Sequence, residues 1–346
     1  MKKGILILWM GILVLSFLNF VFAGSDFVKV NGSEFYLNDK QFYFAGANSY
    51  YLFYADNNAN CIDYGTHQGC LIPLLNSAKA LNLTVIRLWG SSENGSRFGY
   101  DFQPSAGIYD EATFAHFDKV IKEASDRNLK LIVVLVNNWD SFGGMCQYVK
   151  WCALPNASLC QAGEFYPFPN AYVHDFFYTD NCTKQLYKNY VAYILNRTNT
   201  LTGIKYKDDP TIFAWELANE PRARSDKNCI IINDWIGEMS AYVKSIDSKH
   251  LVTPGVDGGY KNKIPDINPW WYQCNEGQDY IPNHNWNTID FTTFNYYDDS
   301  NRFDVDQFRW FSDHISEARN ILNKPVVLQE FNTINNTSRA QILSQW

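Results

Sequence analysis

The chain has 346 residues, 46% hydrophobic and 19% charged, a globular composition that excludes an intrinsically disordered chain. Lys plus Arg is 29 against 36 Asp plus Glu, a formal net charge of −7, and no Lys/Arg run occurs, which argues against nucleic acid as a partner. Aromatic residues are 16% of the chain, with 24 Phe, 22 Tyr and 11 Trp; flat apolar faces with polar edges suit stacking on sugar rings or filling a large core.

The first element in chain order is a targeting segment. Lys2 and Lys3 precede an apolar run from Gly4 to Phe22, and Val21-Phe22-Ala23 ends it with the residues a signal peptidase reads. The expectation is a secretory signal peptide over residues 1–23, cut after Ala23, with a single domain over 24–346. An uncleaved anchor is the alternative, because the run is nearly long enough to span a bilayer. Cleavage removes Lys2 and Lys3 and leaves 27 basic against 36 acidic groups, a net −9.

Short apolar, β-branched runs then recur at Gln41–Ala47, Leu83–Trp89, Leu129–Val136, Thr211–Leu217, His250–Val256, Ile289–Asn295 and Pro325–Gln329. Helical spacing falls between several of them. Phe114, Phe117, Ile121 and Ala124 form one such set, and Ile232, Trp235, Ile236, Met239, Val243 and Ile246 a second. Phe308, Phe311, Ile315, Ala318 and Leu322 form a third. Strands apolar on both faces, alternating with amphipathic helices, predict a parallel α/β sheet. Seven strands fit a (β/α)8 TIM barrel best. A doubly wound open sheet is the alternative, but no glycine-rich phosphate loop follows the first strand. The seventeen residues from Glu330 to Trp346 are too short and polar for an eighth strand and its helix, so a C-terminally incomplete barrel is expected.

Eight cysteines follow the signal, at Cys61, Cys70, Cys146, Cys152, Cys160, Cys182, Cys229 and Cys274. In a secreted chain an even count predicts disulfides that staple long loops. Cys61–Cys70 is a candidate local pair, and spacing leaves the others open. A metal site is the rival, but no CxxC or HExxH occurs and the six His are scattered. Eight N-x-S/T sequons lie at Asn31, Asn82, Asn94, Asn156, Asn181, Asn196, Asn335 and Asn336, candidates for glycosylation on a eukaryotic secretory route. Asn82 abuts a predicted strand and is expected to be too buried for modification.

In a parallel barrel the active site forms at the C-terminal ends of the strands. Those ends carry Arg87 after the second strand and Asn137, Asn138 and Trp139 after the third. The fourth carries Asn219 and Glu220, the sixth Asn295 and Tyr297, and the seventh Glu330. Glu220 and Glu330 would thus face each other across one mouth. A pair of carboxylates is what glycoside hydrolysis needs, one to protonate the leaving oxygen and one to attack the anomeric carbon. A lone loop carboxylate is usually just solvated, and Glu216 in the same segment is as consistent with a buried structural group. Arg87 could hold the nucleophile ionised, and Tyr297 could donate to the same carboxylate.

Ile212-Phe-Ala-Trp-Glu-Leu-Ala-Asn-Glu-Pro-Arg222 carries the Asn-Glu-Pro signature of glycoside hydrolase family 5, and the chain resembles the endo-β-1,4-mannanases of that family. Gly46-Ala-Asn-Ser-Tyr-Tyr51 is similar to their first-strand end. Val136-Asn-Asn-Trp-Asp-Ser-Phe-Gly-Gly144, with Gln147-Tyr-Val-Lys-Trp151, is similar to their third-strand loop. Asn196-Arg-Thr-Asn-Thr-Leu-Thr-Gly203, Tyr206-Lys-Asp-Asp-Pro210 and Pro325-Val-Val-Leu-Gln-Glu-Phe331 complete the set. The resemblance implies a retaining mechanism, with carboxyls about 5–5.5 Å apart. It implies Glu220 as acid/base, its carboxyl held high in the resting state, and Glu330 as nucleophile. Asn219 would bind the sugar 2-hydroxyl, Arg87 and Tyr297 would orient Glu330, and Arg222 would face the leaving-group side. Trp89, Trp139 and Trp271 would stack on sugars, beside Asn138. No metal or organic cofactor is implied.

Two positions depart from the family. Its sixth-strand motif reads His-x-Tyr, and here it is Asn295-Tyr296-Tyr297; Asn cannot carry a positive charge. The family's strand-eight Trp has no counterpart before Trp346. The expected protein is therefore a secreted, monomeric hydrolase of β-mannan. A β-1,4-glucanase of the same family and a sugar-binding relative without catalysis are the alternatives.

Overall fold

The computed structural model describes residues 27–54, 71–94, 100–162, 170–263, 273–298 and 307–333. The chain opens with a small antiparallel sheet that sequence reading did not foresee. Strands β1 (Lys29–Asn31), β2 (Glu34–Leu37) and β3 (Lys40–Gln41) form it. Gly32 turns β1 into β2 at φ +59°, where a side chain would be strained.

Seven parallel strands follow: β4 (Gly46–Asn48), β5 (Val85–Trp89), β6 (Lys130–Val134), β7 (Ile212–Glu216), β8 (Leu251–Thr253), β9 (Thr292–Asp298) and β10 (Val326–Thr333). They pair in the order β4-β5-β6-β7-β8, and β9 with β10. The main chain links the two groups, since Asp290 N–H donates to Val252 O at 2.8 Å and Asn295 N–H to Asp257 O at 2.9 Å. Each strand falls within or beside its expected run. The first differs most, because Gln41 belongs to the small sheet and only Gly46–Asn48 enters the barrel. β10 and β4 flank a cavity of about 710 Å³ lined by Phe42, Phe44, Ala47, Val326 and Leu328, among others, and Asn48 Nδ2 reaches Gln329 O at 2.8 Å. Residues after Thr333 lie outside the described residues, as do the signal segment, Trp271 and the candidate pair Cys61–Cys70.

The helices have clear local causes. In α2 (Glu111–Asp126), Asp110 caps the first turn by accepting from Thr113 N–H, and Phe114, Phe117, Val120, Ile121 and Ala124 form its buried face. Asp180 caps α6 (Asn181–Asn196) in the same way. In α7 (Ile231–Ile246), Ile232, Trp235, Ile236, Met239 and Val243 are buried as expected. The last helix, α9 (Gln307–Glu317), continues into a π-helical turn over Ala318–Leu322; Ala318 and Leu322 are buried but Ile315 is exposed. These parallel strands and covering helices make an α/β barrel of the TIM type.

Inside the barrel, Val85, Ile132, Phe213, Leu251 and Phe291 cluster with Phe35 of the small sheet. All five lie at or near the starts of their strands, so the small sheet plugs the N-terminal end and leaves the other end open. Asn82 is exposed, with φ 58°, rather than buried; it follows α1 (Leu71–Ala80) in a turn that keeps its side chain outside the sheet. Three disulfides tie the loops at the open end: Cys146–Cys160, Cys152–Cys182 and Cys229–Cys274. Among the described residues no helix is long and apolar enough to cross a membrane.

Candidate active site

Arg87, in the middle of β5, is the hub of the open end. It is buried and its guanidinium serves four acceptors. Nε and Nη2 clasp Glu216 of β7 at 2.8 and 2.6 Å, Nη2 also reaches Asn219 Oδ1 at 2.7 Å, and Nη1 reaches Glu330 Oε1 of β10 at 2.7 Å. Nη1 lies 3.4 Å from Asn48 Oδ1. A planar five-donor fork can bind this many carboxylate and amide oxygens at fixed angles, and an ammonium cannot. Glu216 is thus a buried partner of Arg87. Tyr297, at the end of β9, donates to Glu330 Oε2 at 2.5 Å.

Glu220 lies just past β7, where Asn219 forms an isolated bridge to Asn137. Its φ is 49°, a left-handed conformation rare for a branchless charged residue and common where chemistry fixes the backbone. Trp139 Nε1 donates to its Oε2 and Asn295 Nδ2 to its Oε1, both at 2.7 Å, and Arg222 Nη2 stands 3.6 Å away. Arg222 stacks on Trp139 with its Cζ 4.6 Å from the ring centre, and pairs with Asp257 and Glu276. Its backbone N–H donates to Asn138 Oδ1 at 3.1 Å. Asn138 is wholly buried and Trp89 nearly so, the latter beside Tyr50 and Phe142.

The structure also places residues the sequence reading passed over. Asp257 lies four residues past β8, fully buried. It accepts from Arg222 Nε at 3.1 Å, Gln278 Nε2 at 2.9 Å and Asn295 Nδ2 at 3.2 Å, and hydrogen-bonds Glu220. The fifth strand was expected at His250–Val256, so reading its C-terminal end like the others would have found Asp257. Gly255, at φ +78°, brings this segment against Glu216 and Ala218; a Cβ there would fall 1.9 Å from Ala218 O. Asn137, which accepts from Asn219 Nδ2 at 2.9 Å, was read with its neighbours but given no partner.

Electrostatics differ from the simple expectation. Burial pushes the Glu220 carboxyl up, but Arg222 and hydrogen bonds from Asp257, Trp139 and Asn295 outweigh it and hold Glu220 below the usual carboxylate range. Burial raises Asp257 well above that range, with the Glu220 charge adding to it. Glu330 is also raised, by burial first and by Glu220, against the Arg87 charge. Five carboxyls, Glu216, Glu220, Asp257, Glu276 and Glu330, crowd Arg87 and Arg222, and a proton in the Glu220–Asp257 pair rests on Asp257 with its hydrogen bond aimed at Glu220.

Two carboxyls at the mouth of a parallel barrel, each with its own donor set, define the site of a glycoside hydrolase. The chain belongs to the GH family 5 beta-mannosidase-like family, whose model matches residues 25–344. Mannan endo-1,4-beta-mannosidase 1 of Solanum lycopersicum is 39% identical over 319 residues, 89% of this chain and 74% of the relative. Its namesake in Arabidopsis thaliana is 38% identical over 319 residues, 89% and 72% of the two chains. Among solved structures, the endo-1,4-beta-mannanase of Rhizomucor miehei superposes with a TM-score of 0.75 at 32% identity, over 90% of this chain and 84% of that one. The endo-beta-1,4-mannanase of Thermotoga petrophila gives 0.74 at 33% identity over 89% of this chain, which spans 65% of its length, just under two thirds.

Proposed function

We propose that this chain hydrolyses internal β-1,4-mannosidic bonds with retention of configuration, Glu330 acting as nucleophile and Glu220 as acid/base. The observation that carries this is the division of donors: Arg87 and Tyr297 converge on Glu330, while Trp139, Asn295 and Arg222 converge on Glu220. Mannan as substrate rests on the relatives, each named for that activity.

In the first step a Glu330 oxygen attacks the anomeric carbon, and the leaving oxygen takes a proton from Glu220. Arg87 holds one oxygen of the attacking carboxylate and Tyr297 the other, which fixes its orientation. The proton on Asp257 refills Glu220 through their hydrogen bond, so the acid form is at hand although Glu220 alone favours its anion. Once Glu330 is esterified its charge is gone, and Glu220 as base takes a proton from water, which attacks the glycosyl-enzyme. Asn219 keeps its Oδ1 on Arg87 and one amide hydrogen on Asn137, leaving the second for the sugar 2-hydroxyl. Trp89, Trp139 and Trp271 are proposed to stack on sugars, and the chain acts as a monomer.

Secretion is proposed on three supports: the apolar segment ending at Ala23, three disulfides, and exposed sequon asparagines at Asn31, Asn82, Asn94, Asn156, Asn181 and Asn196. The decisive experiment measures reducing ends released from β-mannan and soluble cellulose, beside a Glu330→Gln control. Release from mannan alone, lost in the control by at least about 10³-fold, is the expected result. Release from cellulose at equal rate would move the chain to the glucanases, and none from either would sink the hydrolase reading.

A further inference from the structure

Glu93 lies four residues beyond β5 and is 1% exposed, a carboxyl with no cation beside it among the described residues. Its surroundings belong to the loop that follows β6. Glu93 N–H donates to Phe142 O at 2.7 Å, Gly144 N–H donates to Glu93 Oε2 at 3.0 Å, and Tyr148 OH stands 3.5 Å from Oε1. Tyr148 is in α3 (Met145–Trp151), the helix the loop enters. Phe142, Gly143 and Gly144 have φ values of 64°, 96° and 64°, three consecutive left-handed residues. A Cβ at Gly143 would fall 1.7 Å from Glu93 O, and one at Gly144 would fall 2.1 Å from Trp139 O. A bulky Phe in that region costs free energy, about 1–3 kcal/mol, and such a turn persists only when its surroundings over-determine it. Five residues earlier the same loop carries Asn138 and Trp139, whose side chains hold Arg222 N–H and Glu220 Oε2.

We propose that Glu93 is the positioning residue of this loop, clasping it through Gly144 and Tyr148 and so setting Trp139 against the Glu220 carboxyl. The clasp is sensitive to protonation. Burial pushes the Glu93 carboxyl up to about 8, and Asp101 adds to it, while the hydrogen bonds from Gly144 and Tyr148 pull the other way. Among the described residues, the titratable groups that face it are Asp101, eight residues further on, Tyr148 of α3, and Tyr187 and Tyr190 of α6. All are acids, so none offsets a negative charge on Glu93. Gln103, bridged to Glu93 through the main chain, holds a buried amide with no hydrogen-bond partner among the described residues. Below about 8 the closed clasp therefore keeps its proton, whereas an opened clasp exposes a carboxyl that ionises near 4.5. Linkage fixes the sign: opening gains about tenfold per pH unit between about 4.5 and about 8, and levels off above that.

The test is amide hydrogen exchange by mass spectrometry on the full chain, following peptides within 137–148, corrected for intrinsic rates, at pH 5.5 and 7.5. In the native protein the protection of this segment should fall by up to about 100-fold over those two units, while α2 changes far less. Glu93→Gln, which cannot ionise, should make it independent of pH. Tyr148→Phe removes a donor to the ionised form and should carry the decline beyond pH 8, which decides the matter if Glu93→Gln fails to fold. A flat native profile, or one whose slope survives in Glu93→Gln or stops unchanged near 8 in Tyr148→Phe, overturns the proposal. The clasp bears on catalysis only through the proposed role of Glu220, whereas the exchange measurement needs no substrate, so the two readings fail separately.

Discussion

At the scale of single residues, the site depends on how few groups hold many partners. Arg87 is the clearest case, because its fork touches Glu216 at the end of β7, Asn219 just past it and Glu330 of β10. Arg87→Lys keeps the charge but can satisfy at most part of this set, leaving Glu216 buried without a full partner. We expect a stability loss of about 3–5 kcal/mol by denaturant titration, as for a broken buried pair, together with a fall in kcat. Asp257 offers a sharper test. Asp257→Asn replaces the proton-bearing partner of Glu220 with an amide that donates to the anion, so Glu220 ionises at lower pH. The alkaline limb of kcat/KM on mannan should move to lower pH, and an unmoved limb would remove Asp257 from proton supply. Asn295 stands where the family has His, yet it donates to both Glu220 and Asp257, a double contact that one amide NH2 makes and a single imidazole N–H does not.

At the scale of elements, loops after strands carry the chemistry and need external support, because they lack ladders of their own. The loop after β6 receives it from Glu93 on one side and from α3 on the other. α3 in turn is tied by Cys146–Cys160 and, one residue beyond its end, by Cys152–Cys182. Removing the first bridge by a double Cys→Ser change opens a loop with a sequence separation of 14, which costs about 3 kcal/mol in the chain-entropy account. We expect a lower Tm and a raised KM with a smaller change in kcat, read on mannan below the melting range. The sequence pattern located three helices, α2, α7 and α9, since apolar spacing at 3.6 is a local property, and it passed over α6 with its Asp180 cap. It misplaced Ile315, because which turn of α9 meets the barrel is set by the strands beneath it, and the helix ends in a π turn that shifts the face.

At the scale of the whole molecule, two buried groups set opposing pH slopes. His284 donates through Nδ1 to Tyr280 O and accepts Thr293 N–H at Nε2, both demands of a neutral ring, and burial lowers it to about 3. Its contribution is complete above about 6.5 and is lost as pH falls toward 3. Glu93 is raised to about 8, so its contribution is complete below about 4.5 and is lost as pH rises toward 8. Between 4.5 and 6.5 these two slopes offset each other, while His314, which burial lowers to about 4, adds a further rise of stability with pH. From 6.5 to 8 the Glu93 contribution should fall by about 1.4 kcal/mol per unit, or about 2 kcal/mol in all, and buried Asp257, also raised, slopes the same way. Urea titrations at pH 6.5 and 8 should show a drop larger in the native chain than in Glu93→Gln by this amount.

The amino-acid sequence by itself determined the alternation of strands and helices, the two carboxylates at strand ends and the family. Each rests on local periodicity or on short contiguous motifs such as Asn219-Glu220-Pro221. It also placed Arg87 and Tyr297 beside Glu330, since strand-end positions in a parallel barrel converge on one mouth. Only the tertiary structure decided that Asp257 lies on Glu220, that Glu93 grips a loop some fifty residues away, and which cysteines pair. Those contacts join residues far apart in the chain, and the strength of the polar ones comes from burial. No window of sequence contains it, because the solvent that would screen these charges is excluded only once the strands and their loops have assembled around them.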